Sequence, residues 1–281
     1  MTAILGFNYM DGVLMMSDTE ETTSYATKSE CGKLYRFIFP IGTVITGGSG
    51  DTHLIECANQ ELHQFFASGG GQTPDASATP EDLLAALNDF AQSFFANTTG
   101  QYAGFAENLV PTFEMLIAVN HNQRSLLFRW THNRVVWIPR WRHTSIGAGS
   151  MLTHPMLRDF EFPASKESTL FIGLRMMYHA KRTVQGVGGK TEAFALQHDG
   201  KTLDIGLDAT RKIEELVINL EQFINRFVYL DISNVAPGVA ELEENVAKNF
   251  SELPGILHQY RERFKTLLAQ QLHPKSEKDG G

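Results

Sequence analysis

Cysteine is scarce in this chain: Cys31 and Cys57 are the two it has in 281 residues. Two cysteines make no disulfide framework, and the pattern fits a reducing cytoplasm. Positive charge is also short. Lys and Arg number 24 against 32 Asp and Glu, a formal net charge of −8 with a pI of about 5.7. No basic stripe runs along the chain, so nucleic acid is not an expected partner. No apolar run approaches the ~18 residues of a membrane span. The N-terminus lacks a basic leader, and Asp11 interrupts its apolar stretch, unlike a signal peptide. The expectation is a cytoplasmic protein, starting at Met1 or Thr2, that engages no membrane. The ten histidines and two cysteines show neither His-Glu-x-x-His nor Cys-x-x-Cys spacing, and His121, His132 and His143 are scattered. A Walker loop is missing as well. Neither metal nor cofactor is expected.

What is present is an ordinary globular composition, 42% hydrophobic and 20% charged. A chain of this length can bury a sizeable core without staples. Residues 2–10 and "VLMMSD" read as two strands around Asp11-Gly12, a strong hairpin signal. "KLYRFIFPIGTVITGG" reads as a second pair, turned near Pro40 and Gly42. A helix follows over 51–66, with Leu54, Cys57, Leu62 and Phe65 near helical spacing and Asp51 or Thr52 as its cap. After a Gly/Ser/Pro-rich loop comes a helix over 81–97, then strands at 112–119, 125–131 and 134–139, with "HTSIGAGS" closing the block. A helix over 167–182 and a hairpin over 191–206, turned at His198-Asp199-Gly200, complete the pattern. Trp130, Trp137 and Trp141 read as core or sheet-face residues. This order implies an α+β fold: two stacked antiparallel sheets with helices on both outer faces.

From about residue 208 the pattern turns helical. Ile213, Leu216, Leu220, Phe223, Phe227 and Leu230 recur at spacings of three and four. Pro237-Gly238 breaks the stripe, Val239, Leu242, Val246 and Phe250 resume it, and Leu257, Tyr260, Phe264 and Leu267 form another. The division expected is a domain over 1–207, a helical extension over 208–272, and a disordered tail over 273–281. The stripes are expected to dock on the parent domain. The alternative is that they grip a neighbouring subunit.

The chemistry concentrates at the front. A threonine at the second position becomes N-terminal if Met1 is removed. Its hydroxyl is then the nucleophile, and its α-amine, with an unperturbed pKa of about 8, can serve as the base. Alone, Thr2 would be a plain strand residue. The Asp11-Gly12 hairpin, however, returns Asp18 towards Thr2, where a carboxylate can orient a lysine. Lys33 opens the next strand, and an ammonium near the hydroxyl would lower its pKa. Each of these alone reads as a surface charge at a strand end. "TGGSGD", residues 46–51, leaves backbone N–H groups between a strand and a helix that can face an anion, or is a tight turn.

Together, the Thr2 strand, Asp18, Lys33 and the Gly-Gly turn resemble the proteasome β-type family, the threonine branch of the N-terminal nucleophile hydrolases. "TAILGFNYMDGVLMMSDT" resembles the opening hairpin, "KLYRF…GTVITGGSGD" the next strands, and "FEMLIAV…LLFRW" with "SIGAGS" the middle of the fold. The resemblance spans roughly residues 2–207 and weakens after 160. It implies a four-layer αββα sandwich, homo-oligomeric rings, and peptide-bond hydrolysis through an acyl-enzyme. It makes Thr2 the nucleophile and its own base, Asp18 and Lys33 the charge partners, and the Gly47 N–H the oxyanion donor. Thr22 and Ser49 would meet the substrate backbone, and Ile45 would line the pocket before the cut, implying a preference for apolar residues there. With no prosegment, maturation would be simple loss of Met1, as in some bacterial members.

The chain departs from that pattern in places. Glu20 stands where the family usually has Arg. Ala148 replaces a Ser that supports the α-amine. "KRTVQGVGG" replaces Arg-Asp-Ala-Tyr-Ser-Gly-Gly, so Thr183 or Ser150 would have to substitute. The expected activity is a threonine endopeptidase working on protein or peptide substrates inside a ring. The alternatives are a non-catalytic ring or scaffold subunit, and a hydrolase for small amides with the same Thr2 chemistry. No motif names a regulatory ATPase partner.

Overall fold

The computed structural model describes residues 2–22, 28–39, 42–69, 79–99, 111–140, 142–157 and 164–233, with short pieces between 255 and 266. The chain divides into two compact units, Met1–Leu207 and Asp208–Gly281.

The first unit is built on two five-stranded antiparallel sheets. One starts from the hairpin of β1 (Ala3–Tyr9) and β2 (Gly12–Asp18), as Asp11-Gly12 predicts. The small two-stranded ribbon of β3 (Glu20–Thr22) and β4 (Lys28–Glu30) follows. The second sheet runs β5 (Leu34–Phe39), β6 (Gly42–Gly50), β7 (Phe113–His121), β8 (Arg124–Thr131) and β9 (Arg134–Ile138) in simple sequence order. The first sheet is completed later in the chain by β10 (His143–Gly147), β11 (Thr191–Gln197) and β12 (Thr202–Asp204), in the order β10-β1-β2-β11-β12.

Both faces of β1 and β2 are buried, which is why their sequence is a near-continuous apolar run rather than an alternating one. Their inward residues Ile4, Val13 and Met15 pack with Leu34, Ile45, Leu116 and Leu127 of the second sheet. Gly6 sets how closely the sheets approach, since a β-carbon there would lie 3.0 Å from the Leu127 side chain. The outer face of the second sheet carries α1 (Thr52–Ala67) and α2 (Pro80–Thr99). Leu62, Phe66, Leu87 and Phe94 meet Phe113, Met115 and Trp130 there. Trp130 is fully buried and Trp137 packs at the edge of the same cluster, while Trp141 lies outside the described residues. On the first sheet, α4 (Lys166–Thr183) lies against β1 and β2 at Gly173, where a β-carbon would lie 2.5 Å from Met16 Sδ.

Two elements escaped the sequence pattern. The β3–β4 ribbon has three residues per strand, too short for alternation to register. The helix α3 (Ser150–Leu157) has eight residues and contains Pro155, which reads as a breaker. The face of α1 is also shifted. Asp51 caps the helix by accepting the Leu54 N–H at 3.0 Å, and the buried side chains are Leu54, Ile55, Ala58, Asn59, Leu62 and Phe66. Cys57 and Phe65 are only partly buried.

In the second unit, α5 (Leu207–Ser233) carries the expected helix. Ile213 and Val217 are buried, and Leu216 and Leu220 are half-buried. The side chains of Phe223, Phe227 and Leu230 lie outside the described residues, as do Pro237-Gly238, the two later stripes and the tail. Among the described residues no helix is long and apolar enough to cross a membrane.

Candidate active site

The β1–β2 hairpin places Asp18 beside the start of the chain: Ile4 pairs with Ser17, and the Ala3 N–H donates to Asp18 Oδ1 at 2.8 Å. Asp18 is fully buried. Its other oxygen, Oδ2, accepts from Lys33 Nζ at 3.0 Å and from the Gly188 N–H at 3.2 Å. Lys33 Nζ also donates to the Glu20 carbonyl at 2.5 Å. These contacts occupy two of the ammonium's three donors. A buried carboxylate needs this kind of full pairing, because an isolated charge would neutralise instead.

Thr2 is held from the other side by the turn after β10. The Gly149 N–H donates to the Thr2 carbonyl at 3.3 Å. Gly147 has φ +80°, and a β-carbon on it would collide with that carbonyl oxygen, while one on Gly149 would collide with the Ala3 side chain. "GAG" is thus a steric requirement for seating Thr2.

Thr2 and Lys33 line one cleft of about 430 Å³, together with Ser49, Ala148, Cys31 and Tyr35. Glu21, Thr52, Ile55 and the glycines Gly32, Gly48 and Gly50 complete its wall. Burial pushes the Cys31 thiol above its ordinary range, and the Glu21 carboxylate adds to this. The Tyr35 phenol is raised in the same way, by burial first and then by Glu56. Among the described residues no group of three or more His, Cys, Asp or Glu is placed to hold a metal ion.

The residues singled out in the sequence fall into three groups. Thr2, Lys33 and Ser49 share the cleft, and Asp18 stands directly behind Lys33. Gly47 and Ile45 do not line it. Gly47 lies in β6 between Leu34 and Leu116, one residue before the cleft wall, and Ile45 is wholly buried in the core between the sheets. Thr22 ends β3 opposite Lys28, and its side chain lies outside the described residues. At the departures, the Glu20 carboxylate pairs with Lys28 at 2.9 Å. Ala148 brings no hydroxyl into the cleft. The Thr183 hydroxyl is spent on its own helix, donating to the His179 carbonyl at 2.7 Å. Ser150 is the first residue of α3 and is half-buried.

Two contributors had no signal of their own. "GVGG" supplies the N–H of Gly188 to Asp18, a contact that a Gly-Gly pair alone does not announce. Glu192 accepts the backbone N–H groups of Lys33 at 2.9 Å and Leu34 at 3.2 Å. In "TEAFALQ" it reads as an ordinary polar position of a strand.

With this geometry in place, solved structures give the comparison. Among those that share the fold are three Anbu structures. Anbu (ancestral beta-subunit) from Yersinia bercovieri matches with a TM-score of 0.62 and 13% identity, covering 84% of this chain and 99% of that one. A Gly-1 mutant of Anbu from Hyphomicrobium sp. strain MC1 matches with 0.62 and 12%, covering 85% and 99%. Another Anbu structure from that strain gives 0.59 and 11%. No family model matches the chain, and no curated protein does. The resemblance to the proteasome β-type family is therefore corrected: the neighbours are Anbu proteins, which have a proteasome-like fold but form a distinct family. The motifs behind that resemblance are the ones that build the hairpin, the buried Asp–Lys pair and the cleft. They follow from the architecture and so do not separate one family from another on the same fold. At this identity the likeness shows the fold alone.

Proposed function

We propose that this protein is a threonine-type N-terminal nucleophile hydrolase that cuts peptide bonds, with Thr2 made N-terminal by loss of Met1. The observation that carries this reading is the shared cleft of Thr2 and Lys33, with one carboxylate, Asp18, holding both the strand after Thr2 and the lysine ammonium. In the reaction, the Thr2 hydroxyl attacks the peptide carbonyl carbon and its proton passes to the α-amine. The Lys33 ammonium, fixed by Asp18 and the Glu20 carbonyl, favours the alkoxide over the hydroxyl. Backbone N–H groups of the cleft-lining stretch Gly48 to Gly50 stabilise the oxyanion. The amine then protonates the leaving nitrogen, and water hydrolyses the ester. Ser49 and Thr22 meet the substrate backbone. The wider reading is a four-layer αββα subunit of a cytoplasmic homo-oligomeric ring that degrades protein.

Intact mass gives the first test, since retained Met1 leaves the amine on the wrong residue. Wild type and Thr2→Ala are then compared on fluorogenic peptides, where equal activity sinks the assignment. A second reading, a non-catalytic scaffold subunit, is favoured by Ala148 and by the Thr183 hydroxyl being bound to its own helix. It predicts a free Thr2 that no threonine-directed electrophile labels.

A further inference from the structure

We infer that Glu192 is a positioning residue for the Lys33 ammonium, fixing the main chain from which that side chain reaches into the cleft. The inference rests on the reading of Thr2 as the nucleophile. Glu192 lies on β11 directly opposite Ser17 of β2. One of its oxygens, Oε2, accepts from Ser17 Oγ at 3.2 Å, from the Lys33 N–H at 2.9 Å and from the Leu34 N–H at 3.2 Å. Leu34 opens β5, the edge strand of the other sheet, and Lys33 immediately precedes it. The carboxylate thus fastens the first sheet to the second at the residue that carries the ammonium.

Two features separate this tie from an incidental contact. The first is what surrounds it. Asp18 follows Ser17 on β2, so neighbouring positions hold the lysine at both ends: Asp18 takes the Nζ at 3.0 Å and Glu192 takes the backbone N–H. A lysine stem is a flexible four-carbon chain, and its ammonium is placed closely only when both ends are fixed. The second is Gly32. A β-carbon there would lie 2.9 Å from Glu192 Oε1. The chain therefore leaves out a side chain immediately before Lys33, and the carboxylate occupies that space. Adjacent N–H groups converging on one anionic oxygen form a concave anion site, with hydrogen bonds stronger than neutral ones.

The test measures acylation of Thr2 by a chromogenic ester or peptide in wild type, Glu192→Ala, Glu192→Gln and Glu192→Asp, with amide hydrogen exchange on the same proteins. A misplaced catalytic group costs roughly ten- to a hundredfold in rate. Glu192→Ala is expected to lose that much in kcat with KM within about twofold. Glu192→Gln, which keeps an accepting oxygen, should recover most of it. Exchange at the Lys33 and Leu34 amides should quicken in Glu192→Ala while the β1–β2 amides stay protected. Wild-type kcat in Glu192→Ala, or unchanged exchange at those two amides, overturns the inference. If Glu192→Ala does not fold, Glu192→Asp decides, because it keeps the charge and draws the carboxylate back from the two N–H groups: quickened exchange there with lowered kcat supports the inference, and wild-type values overturn it. Failure of the hydrolase reading looks different: Thr2→Ala then equals wild type, and the exchange measurement still judges the tie.

Discussion

The carbonyl of Thr2 and the N–H of Gly149 are joined at 3.3 Å, so the turn after β10 grips the very residue that carries the proposed nucleophile. Gly147 makes room for that grip. With φ +80° and the Thr2 oxygen against it, it leaves no space for a side chain. Gly147→Ala should lose about 1–2 kcal/mol for the left-handed backbone alone, and more for the collision. Peptide hydrolysis should fall by at least about tenfold, since the hydroxyl is displaced with its carbonyl. Urea unfolding and kcat on the same preparation check this. Wild-type values for both would mean that the turn does not seat Thr2.

The Asp18–Lys33 pair yields a prediction about both stability and rate. Asp18 is fully buried and the Lys33 side chain is 10% exposed. Removing one partner leaves an uncompensated charge, at a cost of about 3–5 kcal/mol. Asp18→Asn and Lys33→Met should each approach that loss. The double variant should regain part of the stability, because no lone charge remains, yet stay inactive. A double-mutant cycle reads the coupling. A double variant that recovers hydrolysis would show that the ammonium has no part in the chemistry.

At the hairpin end of the sandwich, the Ser125 N–H donates to His198 Nδ1 at 3.0 Å, and Asn120 Nδ2 donates to the carbonyls of Gln197 and His198 at 3.0 and 2.9 Å. Nδ1 can accept only while unprotonated. Burial first, then Arg140 and Arg124, lower the His198 pKa, with Asp11 opposing. The unfolded imidazole, near its ordinary value of about 6.5, therefore binds a proton at pH values where the folded one does not. Stability from this group is complete above about pH 6.5 and is lost as the pH falls through the window below it. Unfolding free energies at pH 7.5 and 5.5 should drop more in wild type than in His198→Gln. Equal drops would remove His198 as the cause.

The front of the molecule was legible in the sequence because its logic is local. Asp11-Gly12 fixes the hairpin, and counting along it brings Asp18 back to the start of the chain. The glycines of 46–51 read as lying between a strand and a helix, whereas Gly47 to Gly50 are inside β6, and the steric reason for Gly147 and Gly149 shows only once Thr2 and Ala3 are packed against them. Glu192 was not legible. It acts on backbone groups 159 and 158 residues away, and nothing in the alternation of β11 marks it as different from a solvent-facing polar residue. Ile45 shows the converse limit. Periodicity says that it shares a face of β6 with Gly47, but which face meets the cleft and which the other sheet is a matter of tertiary packing. The family likeness failed for a related reason. Short motifs report the demands of the hairpin and the cleft, and those residues do not by themselves name a family.

The cleft takes Thr2 and Ala148 from the sheet of β1 and Lys33 and Ser49 from the sheet of β5. The proposed nucleophile and the Lys33 ammonium therefore sit on opposite sides of a seam. Any slip of one sheet over the other changes the gap between them, even when every side chain keeps its rotamer. Gly6, Glu192 and the Asn120–His198 clasp act as alignment pins along that seam. Under the proposed hydrolase reading, turnover becomes a gauge of how faithfully the two sheets keep their register, and a loosened seam would silence the site before the protein unfolds.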